Sequence, residues 1–93
     1  MFIGVCTIEL HIPDSGSLKM KRHSLKSIKD RIRSRFNVSV AEVDDNDLWQ
    51  KTTIAIAAVS KDKPHLNQTL DHVLNLVRSV PEVSLLDYHI EIL

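Results

Sequence analysis

This chain has one cysteine, two glycines, three prolines and four aromatic residues in 93. Each scarcity excludes something. A lone Cys6 forms no internal disulfide and no Cys-x-x-Cys metal or redox motif, and it fits a reducing compartment. Few glycines and prolines exclude a low-complexity or collagen-like chain. Four aromatics leave the core to Ile, Leu, Val and Ala. No apolar run approaches the ~20 residues of a membrane span, and the first residues carry no basic leader. A cytoplasmic, non-membrane protein is expected. With 43% hydrophobic and 26% charged residues, the composition predicts one globular domain over 1–93.

The net charge of zero conceals an asymmetry. Residues 17–36 hold eight of the twelve Lys and Arg (Lys19, Lys21, Arg22, Lys26, Lys29, Arg31, Arg33 and Arg35) and one acid, Asp30. A basic segment of about +7 therefore sits on an acidic remainder of about −7. That split shows where an anion would dock, without naming a reaction.

Hydropathy resolves six elements. Phe2, Cys6, Ile8, Leu10 and Ile12 alternate with Ile3, Val5, Thr7, Glu9 and His11, a strand with one apolar face. Pro13-Asp14-Ser15-Gly16 breaks it, and Ser17 is placed to cap a helix. Leu18, Leu25, Ile28, Ile32 and Phe36 then recur at helical spacing up to Asn37. Residues 38–44 form a short strand, Asp44-Asp45-Asn46-Asp47 a turn, and Trp49 to Ser60 a longer strand. Asp62 caps a second amphipathic helix with Pro64 in its first turn, Pro81 ends it, and Val83 to Leu93 close the chain as a strand.

The order β-α-β-β-α-β predicts an α+β, ferredoxin-like fold. Its four-stranded antiparallel sheet would run 4-1-3-2, with both helices on one face.

On the helical wheel Arg22, Lys26, Lys29 and Arg33 fall within about 60° of one another, with Lys19 beside them. They form a stripe about 16 Å long, and Asp30, four residues after Lys26, lies only at its margin. Lys21 projects closer to the core, where an acid can pair with it. Cations in the first turns oppose the helix dipole, while free N–H groups there can hold a phosphate or carboxylate. The competing explanation is a solvated helix face whose cations pair with acids on neighbouring elements.

The sheet face away from the helices would carry Ile3, Val5, Ala41, Val43, Ala55, Ala57, Val59, Val83 and Leu85. Glu9, His11, Lys51, Asp87, His89 and Glu91 would ring them. An apolar centre inside a charged rim predicts a homo-oligomer interface. Trp49 is either a core plug at the sheet end or an anchor of that interface. The face lacks the aromatic platform with which RNA-recognition motifs stack bases, so nucleic acid would be held through phosphates.

No catalytic constellation stands out, and no cofactor is implied. The acidic run Glu42 to Asp47 lacks the glycine and terminal glutamate of a calcium loop. It reads as an acidic hairpin turn, which could also dock the basic helix of a neighbouring subunit. His65 and His72, seven apart, are too distant for shared ligation. Pairing Phe2 near Ile92 sets His89 opposite Val5 rather than His11. No metal site is expected, and Cys6 is expected to be a buried small hydrophobe.

Ile8-Glu9-Leu10, Ser17-Leu18-Lys19, Lys21-Arg22, Leu25-Lys26-Ser27, Phe36 to Glu42 and Asp47-Leu48-Trp49-Gln50 form a specific set. Together with the ending from Pro81 to Leu93, they closely resemble the YlxP-like family of small bacterial proteins. The resemblance spans essentially the whole chain. It implies a ferredoxin-like fold, no established activity, and genes often found beside translation and ribosome-maturation genes. Met20 stands where the family often has Glu, which would complete a capping box with Ser17.

The leading expectation is a non-enzymatic accessory protein that binds RNA or a ribosomal particle through Lys19, Arg22, Lys26, Lys29 and Arg33. The rivals are a regulatory module for a carboxylate or phosphate metabolite at Pro13 to Ser17, and a purely structural self-assembly protein.

Overall fold

The computed structural model describes residues 1–13, 16–44 and 50–93. Six elements follow in order: β1 (Phe2–His11), α1 (Leu18–Arg35), β2 (Ser39–Asp44), β3 (Lys51–Ser60), α2 (Lys63–Ser79) and β4 (Ser84–Ile92). The strands pair antiparallel in the order β2-β3-β1-β4, the ferredoxin-like arrangement. The predicted topology and both crossover helices are present. Asp14, Ser15, the turn residues 45–47 and Trp49 lie outside the described residues.

Period-two patterning produces the core directly. Cys6, Ile8 and Leu10 of β1 and Ile54 and Ile56 of β3 point one way and are fully buried. Leu25, Ile28 and Ile32 of α1 and Leu70, Val73, Leu74 and Val77 of α2 meet them in one apolar cluster. Gly4 lets α2 approach β1. A Cβ there would sit 2.9 Å from Leu70 Cδ1 and 3.1 Å from both Leu66 methyls.

Both helices start as their sequences specify. The Ser17 side chain accepts from the Met20 N–H at 3.2 Å, and that of Asp62 from the His65 N–H at 3.4 Å. α1 ends at Phe36, whose backbone is extended and whose N–H donates to Ile32.

β4 departs from simple alternation. Val5 faces Glu91, Thr7 faces His89 and Glu9 faces Asp87, but Leu10 faces Leu85. Leu86 is the extra residue of a β-bulge, and it is exposed. The bulge reverses the facing of everything before it. Val83 is buried in the core and Leu85 packs against it, so neither belongs to the outer face where alternation alone placed them. His89 pairs across from Thr7, two residues from its expected Val5. A second bulge interrupts β2. Glu42 faces Ile54 and Asp44 faces Thr53, which leaves Val43 as the extra residue, half exposed.

A basic helix flank as candidate anion-binding interface

The α1 flank is built by a helix whose opposite side is buried. With Leu25, Ile28 and Ile32 in the core, 100° per residue carries Lys19, Arg22, Lys26 and Arg33 out to solvent and Lys29 to a half-buried position. The first turn has no acid.

The cations of this segment divide by their partners. Lys21 is 1% exposed, and its Nζ lies 3.9 Å from Glu42 Oε1 on β2. It is a core residue, as its wheel position indicated. Arg33 donates through Nη2 to the Val40 carbonyl of β2 at 2.8 Å, and its Nη1 lies 3.9 Å from Asp30. Lys26 donates to Asp30 at 3.1 Å. Asp30 lies at the stripe's margin on the wheel, yet its carboxylate reaches two members of the stripe. Arg33 is thereby committed to holding α1 against edge strand β2. Lys26 and Asp30 are 79% and 55% exposed, so their pair is screened and weak. Among the described residues, Lys19, Arg22 and Lys29 have no acidic partner.

The outer sheet face has two zones. Ile3 pairs with Val59, Val5 with Ala57, and Ala55 with Ala41, which brings the predicted aliphatics together. Val59 is 65% exposed. The other zone is polar and acidic, with Glu9, Asp44, Asp87 and His89 around a shallow depression. Lys51 spans to Glu9 at 3.8 Å. Among the described residues no aromatic occupies this face. Phe2 and Tyr88 fall on the helix side of their strands, and Arg78 of α2 lies 5.5 Å from the Tyr88 ring centre.

Cys6 is fully buried, and burial, with a smaller contribution from Asp71, pushes its thiol up to about 11. Among the described residues no three His, Cys, Asp or Glu side chains gather as metal ligands. No helix of the described residues is long and apolar enough to cross a membrane.

A family model described as "Protein of unknown function (DUF503)" matches residues 3–90. The chain belongs to the DUF503 family. A relative in that sequence space is "Uncharacterized protein YlxP" of Bacillus subtilis (strain 168), 43% identical over 81 residues, 87% of this chain and 88% of YlxP. Two solved structures share the fold of this DUF503 chain. The de novo designed protein Foldit4 has a TM-score of 0.52 at 13% identity, over 99% of this chain and 93% of its own. A C-terminal segment of the alpha subunit of aIF2 from Pyrococcus abyssi has a TM-score of 0.51 at 19% identity, over 92% of this chain and 49% of its own. At these identities the likeness is one of fold.

Sequence reasoning missed one feature of the DUF503 chain. The C-terminal end of α1, the end of β3 and the first turns of α2 enclose a cleft of about 420 Å³. His65 and His72 both line it, together with Arg35 and Phe36. Their spacing of seven speaks only against shared metal ligation. The available signal was the shared face of His65 and His72, two turns apart on α2.

Proposed function

We propose that this chain is a non-enzymatic accessory protein that binds RNA, free or within a ribosomal particle, through the exposed flank of α1. One observation carries the reading. Lys19, Arg22 and Lys29 lack acidic partners among the described residues, in a chain whose Lys and Arg equal its Asp and Glu in number. Like charges in a row repel, and a polyanion relieves that repulsion. Lys26 joins them, because a screened surface pair with Asp30 yields readily to a phosphate. The absence of outer-face aromatics among the described residues favours phosphate contacts over base stacking. The one thiol is buried and held in its protonated form, so it offers no nucleophile.

Four phosphate contacts predict a log–log salt slope of about −3 for single-stranded RNA. The test is fluorescence anisotropy with ribosomal RNA fragments at two salt concentrations, using Arg22→Glu/Lys26→Glu as control. Salt-sensitive binding that the double variant loses, with its thermal melt unchanged, supports the reading. Equal binding by the variant, or none at low salt, ends it.

A homo-oligomer through the outer sheet face belongs to the same proposal, supported by the Ile3–Val59 and Val5–Ala57 pairs at its apolar zone. Light scattering coupled to gel filtration tests it. Val59→Glu should shift an oligomer toward monomer. A monomeric parent protein at high concentration refutes this part alone.

A further inference from the structure

The cleft at the far end of α1 has the chemistry of a small-anion site. It is lined by Arg35 at the end of α1 and Asn37 just beyond it, Ser60 at the end of β3, and His65, Gln68 and His72 of α2. Among the described residues no Asp or Glu lines it, although the chain has twelve. Its volume of about 420 Å³ lies in the range of ligand pockets.

Among the described residues that line the cleft, Arg35 is the one Lys or Arg. The C-terminus of α1 brings about half a negative charge and the N-terminus of α2 about half a positive one. These offset, and the full charge of Arg35 remains. Arg35 has no acidic partner among the described residues. His65, Gln68 and His72 also border a more open groove that adjoins the cleft and carries Asp62 and Asp71. Those carboxylates lie outside the cleft's own lining, where Arg35 is the charged contact and the imidazoles, Gln68 and Asn37 supply further donors. Ser60 Oγ accepts from the Asp62 N–H at 3.0 Å, which leaves its own proton to donate.

The walls are not uniformly polar. The Phe36 and His72 rings lie 6.5 Å apart between centroids and tilted by 42°, and Ala58 and Leu66 complete an apolar side. A ligand that matches both parts has an oxyanion with several acceptor oxygens and a compact organic body. A phosphate offers three such oxygens to this many donors, where a carboxylate offers two.

We propose that this cleft binds a small phosphate monoester, with Arg35 as its main anion contact and the Phe36–His72 pair against its organic part. The site is separate from the α1 flank and does not depend on RNA binding there.

The test is a nitrogen-15 amide-shift titration of the full chain with adenosine monophosphate, inorganic phosphate and adenosine. The monophosphate should saturate, with shifts centred on residues 35–37, 60 and 65–72. Inorganic phosphate should bind more weakly at the same amides, and adenosine should leave them unchanged. Arg35→Ala should weaken the monophosphate at least tenfold. Gln68→Glu, which puts a carboxylate into the cleft from an exposed helix position, should abolish it. Arg22→Glu/Lys26→Glu should leave the cleft shifts intact, which separates this site from the RNA reading. The proposal is overturned by unsaturable shifts, by shifts centred on residues 19–29, by adenosine binding as well as its monophosphate, or by full affinity in Gln68→Glu.

Discussion

Lys21 Nζ reaches Glu42 Oε1 at 3.9 Å from a position that is 1% exposed, so the most buried cation of the basic helix is tied to the edge strand beside it. The lysine lies on the same side of α1 as Leu25, Ile28 and Ile32 and extends its apolar stem among them. Glu42 owes its inward facing to its place before the β2 bulge, opposite Ile54. The pair is thus a meeting of helix periodicity with strand register.

Its two halves should respond unequally to substitution. Glu42→Gln leaves a buried ammonium with less compensation, and should cost on the order of 2 kcal/mol. Lys21→Met keeps the apolar stem, removes the charge from the core and leaves Glu42 at 22% exposure, able to meet water. It should cost clearly less. Urea denaturation of both variants checks the order, and equal losses would contradict the assignment of Lys21 as the buried member.

Arg33 distinguishes structural from binding cations within one stripe. Its bond to the Val40 carbonyl satisfies a backbone acceptor on an edge strand, and Asp30 adds a second contact. Arg33→Ala should destabilise the fold by about 1 kcal/mol, a typical worth for a partly exposed hydrogen bond to a charged group. RNA affinity should fall much less than in Arg22→Glu/Lys26→Glu. Chemical denaturation and anisotropy on the same preparations give both numbers. Unchanged stability with a large affinity loss would return Arg33 to the binding surface.

The fold was legible because β1, β3 and both helices kept clean periods. Strand alternation in β1 and β3 and the helical spacing of Leu18 to Phe36 each had one reading. What alternation could not reveal were the bulges. One extra residue, Leu86, moves Val83 and Leu85 from the outer face into the core, and nothing in Ser84-Leu85-Leu86-Asp87 marks where the extra residue sits. The stripe was legible as a set of angles, but not its division into committed and uncommitted members. Arg33 and Lys21 are held by β2, which the helical wheel does not contain. The cleft was hidden for a similar reason. Arg35, Ser60 and His72 come from three elements, and no sequence spacing links them.

Cys6 gives a pH dependence with a definite sign. Burial raises its thiol from 9.0 to about 11 in the folded chain, because the thiolate is poorly solvated there. Above pH 9 the unfolded chain loses this proton before the folded one does. The thiol's contribution is therefore fully present below about pH 9 and is lost as pH rises toward 11. The folded protein should not react with a disulfide reagent at pH 8, and should react fully once denatured. Cys6→Ala should flatten the fall in stability between pH 9 and 11 in denaturant titrations. Rapid labelling of the native thiol would refute its burial.

Gly4 should be the least replaceable small residue of β1. Its missing side chain faces Leu66 and Leu70, and a methyl group would arrive 2.9 Å from Leu70 Cδ1. The nearest atoms are the ends of flexible side chains, so α2 can give, though only by moving leucines that are at most 1% exposed in a packed core. Gly4→Ala should therefore fold with a loss of about 1–2 kcal/mol, the usual range for overpacking. Leu70→Ala alone should also destabilise, through the cavity it opens. Combined, the two changes should cost less than the sum of their separate effects, because the new methyl occupies part of that cavity. A double-mutant cycle in urea measures the coupling, and strict additivity would show that α2 does not close on β1 at Gly4.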